Sequence, residues 1–230
     1  SIPGAWQTAA MKSLQDRMIR EIKDCGSKMI FGCEASAATP YVANLIYNDS
    51  RPGAGYGFGR PLPGISFVFH EYMCNFSGNQ ISHQSDPLYR LAYSFHMGDM
   101  LSVVLGKDGE MVMAWGIKWV EPVPEQRPLI DLLRSLNALR KKYPQFLLSG
   151  MMVKPFARLE ARKKFLHLSG RDVEIEGVLS SFWQDAYGDR LGFVTNYLNE
   201  KQTVKIEYSD GRSDEKVLLP LITIELTSWK

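Results

Sequence analysis

Near residue 145 the chain changes grammar, and that change limits the folds open to it. Up to that point short apolar runs alternate with helical patterns; beyond it short strands follow one another at regular spacing, separated by turns. Strands alternating with helices read as a parallel α/β arrangement, and turn-punctuated strands read as an antiparallel sandwich. The expectation is therefore an α/β chain in two parts. Residues 1–145 form a barrel-like portion, and residues 146–230 form an antiparallel β-sandwich of ~80 residues.

In the first part, Met11, Leu14, Met18, Ile19 and Ile22 recur at helical spacing, so a helix is expected over 9–25, closed by Gly26. Residues 29–33 and 65–69 are apolar runs too short for helices and bounded by Gly or Pro, and both are read as buried strands. Residues 35–64 form a long loop region with a short helix near 41–46. A helix is expected from Pro87 to Gly106, a third strand over 111–115, and a last helix over 127–143 with Ile130, Leu132, Leu133, Leu136 and Leu139 on its apolar face. Three strands are fewer than the eight of a closed barrel, so the first part reads as a partial (β/α)8-type barrel. In the tail, strands are expected over 151–157, 164–168, 173–183, 191–197, 202–208 and 216–226.

Both runs read as strands lead into a glutamate, Glu34 and Glu71. A carboxylate at the C-terminal end of a parallel strand is where an α/β barrel keeps its chemistry, and paired carboxylates are the working parts of glycoside hydrolysis. Glu71 is the candidate nucleophile and Glu34 its partner acid or sugar anchor. His70 and Tyr72 flank Glu71, while Asp49 and Arg51 follow Glu34 in the long loop. Trp115 and Trp119 stand at the end of the third strand, placed to floor a sugar subsite. The plain alternatives are scaffolding for the Asp49–Arg51 pair, core packing for the tryptophans and a satisfied half-buried histidine at His70.

Other chemistries have weaker support. Three cysteines, Cys25, Cys33 and Cys74, make no disulfide framework and contain no CxxC pair. The four histidines form no ligand pair, so no metal or other cofactor is expected. Gly53, Gly55, Gly57 and Gly59 lack the Lys-Ser/Thr of a phosphate loop and read as a lid or turn series. Asp185 and Asp189 read as a plain turn rather than a calcium site. A net charge of +2 without a basic, aromatic-laced cluster argues against nucleic acid, and no apolar run approaches the ~20 residues of a membrane helix. The opening Ser1-Ile2-Pro3-Gly4 fits a removed leader, trimming or proteolysis; a removed leader implies a secreted or periplasmic setting.

Gly32-Cys33-Glu34-Ala35, Asn48-Asp49-Ser50-Arg51, Phe69-His70-Glu71-Tyr72 and Ala114-Trp115-Gly116 resemble the C-terminal portion of bacterial proteins related to TIM-barrel glycoside hydrolases. The tail, with Val178-Leu179-Ser180-Ser181-Phe182-Trp183 and Phe193-Val194-Thr195-Asn196, is similar to the β-sandwich that closes many such enzymes. The resemblance implies a barrel, a carbohydrate substrate and carboxylate catalysis. It further implies that Glu71 ends the seventh strand and Glu34 the sixth, with the fourth-strand acid outside these residues. A half-barrel exposes an edge strand, so a dimer or a missing N-terminal segment is expected to complete it. The rival expectations are a non-catalytic carbohydrate-binding or structural module and, last, a metal hydrolase using His70 and Glu71.

Overall fold

The computed structural model describes residues 3–29, 32–34, 45–47, 64–76, 86–113, 122–168 and 171–228. Helix α1 spans Pro3–Asp24. It ends as expected at Gly26, whose φ is +68°. The Ser27 N–H reaches back to the Ile22 carbonyl and the Gly26 N–H to the Lys23 carbonyl, a Schellman closure that requires a left-handed residue. Its apolar stripe of Met11, Leu14 and Met18 faces outward rather than into a core.

Three short strands follow: β1 (Gly32–Glu34), β2 (Leu45–Tyr47) and β3 (Cys74–Phe76). They pair parallel in chain order, with Gly32, Leu45 and Cys74 in one row and Glu34, Tyr47 and Phe76 in another.

The expected strand 65–69 is instead helix α2 (Gly64–Phe69). Ser66, His70 and Met73 are the buried positions, while Phe67 and Val68 are exposed. Burial thus follows a helical spacing of four and three, and Phe67 and Val68, two of the apolar residues that suggest a strand, do not pack. The His70 N–H continues the helical pattern to the Ser66 carbonyl.

Helix α3 (Pro87–His96) starts where expected. The Asp86 carboxylate accepts from the Tyr89 N–H at 2.8 Å, and Pro87 occupies the first turn. Asp86→Ala should lower stability by about 1 kcal/mol, read by urea unfolding, while Asp86→Asn should retain most of it. The helix stops well before Gly106. Gly98, at φ +75°, closes it through Gly98 N–H to Phe95 O and Asp99 N–H to Ser94 O. Gly106 lies instead in the turn between β4 (Val104–Leu105) and β5 (Met111–Val112), which pair antiparallel. The third expected strand therefore belongs to a hairpin over 111–112, not to a parallel sheet. Helix α4 (Gln126–Lys142) matches its expectation within a residue, burying Leu129, Leu132, Leu136 and Arg140; the short α5 (Pro144–Leu147) follows.

The tail holds β6 (Met151–Met152), β7 (Ala157–Ala161), β8 (Lys163–Leu168), β9 (Arg171–Glu176), β10 (Val178–Gln184), β11 (Arg190–Asn196), β12 (Gln202–Tyr208), β13 (Ser213–Leu218) and β14 (Thr223–Thr227). One antiparallel sheet has the order β14-β11-β10-β6 and a second the order β13-β12-β7; β8 and β9 form a separate hairpin. The two sheets share a core that includes Phe156, Phe182, Val194, Ile206 and Leu226. On the other face of β10 and β11, Trp183 and Phe193 pack with Leu91 and Phe95 of α3 and Leu132 and Leu136 of α4. The β10–β11 pair is thus covered on both faces, which is why residues 191–196 are all buried. The architecture is mixed α/β, and no closed barrel is formed among the described residues.

Candidate functional site

The structure places Glu34 and Glu71 at different ends of the parallel strands. Glu34 is the last residue of β1, in register with Tyr47 and Phe76, so these three backbone positions mark the C-terminal edge of the parallel sheet. Glu71 does not end a strand. It sits exposed in the turn after α2, three residues before β3 begins. The chain enters β3 at the opposite end of the strand direction from Glu34. The expectation of two strand-end carboxylates on one edge is corrected accordingly.

Glu71 has its own neighbour. Its carboxylate hydrogen-bonds the exposed Tyr72 side chain, and that bond, reinforced by the negative charge, raises the Tyr72 pKa. Glu71 and Tyr72 are therefore together, at the surface. Asp49, Arg51, Trp115 and Trp119 lie outside the described residues.

His70 is turned inward and only 2% exposed, so it meets no ligand from the solvent side. Its Nδ1 lies 2.7 Å from the Gly150 carbonyl and its Nε2 3.2 Å from the Gly98 carbonyl. A neutral imidazole has one N–H, and the shorter contact assigns it to Nδ1. Burial lowers the His70 pKa, and the nearby Arg140 guanidinium adds to that, against the raising effect of the carbonyls. Arg140, itself buried, donates to the Asp99 carbonyl at 2.6 Å and the Gly98 carbonyl at 3.2 Å. His70 thus belongs to a buried polar clasp tying the turn after α2 to the end of α3, to α4 and to the loop before β6. The Trp183 ring packs on it with centroids 4.5 Å apart.

A second buried chain continues from that tryptophan, and sequence reasoning missed it. Trp183 Nε1–H donates to Ser181 Oγ at 2.9 Å, and Ser181 Oγ lies 2.9 Å from His96 Nδ1. His96 Nε2 lies 2.8 Å from Thr195 Oγ1, which in turn meets Thr223 Oγ1 at 2.8 Å. A serine beside a histidine suggests nucleophile and base, but complete burial holds His96 at a pKa of about 3. A base that weak is poorly matched to neutral pH, and Ser181 is already engaged by Trp183. The chain joins α3 to β10, β11 and β14 as scaffolding. No spacing motif announces it, because its partners are 85 and 99 residues from His96.

Among the described residues no group of three or more His, Cys, Asp or Glu could hold a metal ion, and no helix is long and apolar enough to cross a membrane. No family model, curated protein or solved structure matches the chain.

Proposed function

We propose that the chain is part of a glycoside-hydrolase-like protein that acts on an oligo- or polysaccharide, with Glu34 as the carboxylate nearest the sugar. The supporting observation is the row of Glu34, Tyr47 and Phe76 at the C-terminal edge of three parallel strands. That edge is where open and closed parallel sheets bind ligands, and the row holds one acidic and two aromatic residue types, the types that recognise polyhydroxylated rings. Asp49 and Arg51 follow Tyr47 by two and four residues in the sequence. The strands' parallel order in chain sequence also supports the finer reading: a partial (β/α)8-type barrel over 1–145, joined to a β-sandwich over 146–230. A second copy or a further segment would complete such a barrel. Size-exclusion chromatography with intact mass distinguishes a dimer from a monomer.

In this reading one carboxyl protonates the glycosidic oxygen, and the other attacks the anomeric carbon or activates water. The resemblance assigns the second role to Glu71, whose place in the turn before β3 does not support it. The test is turnover against a glycan panel. Glu34→Gln should cut the rate by about a hundredfold or more while unfolding midpoints hold, and Glu71→Gln tests the second role in the same assay. Full turnover in both variants would overturn carboxylate catalysis by these residues.

The placement of Glu71 in the turn before β3 favours a second reading, a non-catalytic carbohydrate-binding module. It expects calorimetric binding to the same panel without turnover.

A further inference from the structure

Two strands, β7 and β10, leave backbone edges without a strand partner among the described residues on a single cleft of about 1230 Å³. Among the described residues, β7 is the outer strand of its sheet, bonded only to β12. β10 pairs fully with β11, but its other edge meets β6 only at Trp183 and Gln184. β9 pairs with β8 alone among the described strands. Connectivity explains the opening. β7 runs into β8 at Arg162, β9 runs into β10 at Gly177, and the Gly177 N–H donates to the Arg162 carbonyl at 3.0 Å. Beyond that clasp the ladder does not continue. β7 turns into one sheet and β10 into the other, and residues of both line the cleft.

A row of unsatisfied N–H and C=O groups on a strand edge is a template for another strand. Here two such edges, carrying Ala157, Arg158, Leu159 and Ala161 on β7 and Val178, Leu179 and Ser180 on β10, line the same space, and each spans roughly 10–17 Å at ~3.3 Å per residue. The floor is apolar, with the Phe156 and Phe182 rings edge to face and their centroids 4.8 Å apart. The charged rim is not neutral. Arg158 pairs with Glu160 and Lys163 with Glu174, which leaves the Glu176 and Glu207 carboxylates without ion-pair partners among the described residues.

We propose that this cleft binds an extended polypeptide segment of a separate protein as an added strand between β7 and β10. Its alternate apolar side chains sit on the Phe156–Phe182 floor, and basic residues face Glu176 and Glu207. Backbone pairing supplies the affinity and the alternating pockets supply the selectivity. The inference is independent of the carbohydrate reading; besides the tail strands, Tyr89, Tyr93 and Met97 at α3 line the cleft.

The test is amide hydrogen exchange on the full chain with a synthetic heptapeptide, Thr-Val-Lys-Val-Lys-Val-Thr, capped at both ends. Saturating peptide should slow exchange at least tenfold at cleft-facing amides of residues 157–161 and 178–181, and leave β12 and β13 unchanged. The same peptide with its central valine replaced by proline should not protect them, because proline removes a ladder donor. Glu207→Lys should weaken the lysine peptide by roughly fivefold, the scale of one exposed ion pair. Absence of protection, or equal protection by the proline peptide, would overturn the proposal. So would protection that grows with protein concentration alone, which would assign the cleft to a second copy.

Discussion

Gly98→Ala is expected to destabilise the protein far more than an alanine at an ordinary helix-end glycine. Two costs coincide there. Gly98 closes α3 at φ +75°, where a side chain costs about 1–2 kcal/mol. A Cβ on Gly98 would also stand 2.3 Å from Cδ2 and Nε2 of His70 and 2.7 Å from Cη2 of Trp183. Neither ring can yield easily. His70 is held by the Gly150 carbonyl at 2.7 Å, and Trp183 is held through its Nε1–H to Ser181. Overpacking a core of this kind adds about 1–3 kcal/mol, so the total is roughly 2–5 kcal/mol. For a chain of this size each kcal/mol lowers Tm by about 2–4 °C.

Gly211 supplies the control. Its φ is +89°, and a Cβ added there would meet nothing within 4 Å, so Gly211→Ala carries the backbone cost alone. Urea unfolding of the two variants separates conformation from packing. If Gly98→Ala costs no more than Gly211→Ala, the tight approach of α3 to His70 and Trp183 is wrong.

The same residues show what was legible in the sequence. Helix α4 was legible because its leucines recur at helical spacing and pack, with Leu129, Leu132 and Leu136 all buried. The tail strands were legible because turns at Gly188 and Gly211 demand positive φ and leave only strand-length segments between them. Helix α2 was not legible, because its packed face is Ser66, His70 and Met73 while Phe67 and Val68 lie outside. Hydropathy reports which residues prefer burial, and here two of the three buried positions, Ser66 and His70, are polar. The end of α3 was hidden for a related reason. Met100, Leu101, Val103 and Val104 prolong an apolar pattern toward Gly106, but Gly98 offers an earlier left-handed stop. Of the candidate site, Glu34 was legible as a strand end. Glu71 was not, since its position depended on the strand that proved to be a helix.

Acid should unfold this protein earlier than its carboxylates alone require, and His96 is the main cause. Its side chain is buried between two hydroxyls, Ser181 on Nδ1 and Thr195 on Nε2. That pair suits a neutral ring, with one hydroxyl donating and the other accepting. Burial alone depresses its pKa to about 3, with no charged side chain contributing. The unfolded chain takes up the proton near pH 6.5. Above that pH both states are neutral and His96 adds no pH dependence. Between about 6.5 and 3 the unfolded state binds one more proton than the folded state, so stability falls as pH falls, by about 1.4 kcal/mol per unit. The loss amounts to roughly 4–5 kcal/mol by pH 3 and then levels off. His70, also lowered by burial, acts in the same direction. Urea unfolding between pH 7 and 4 should show this slope, and His96→Gln should flatten it by about one proton whatever its effect at pH 7. Nuclear magnetic resonance should find the native His96 ring neutral at pH 5. A native His96 that titrates near 6.5, or an unchanged slope in His96→Gln, would mean that the ring is reached by water and that the buried chain from Trp183 to Thr223 is not closed.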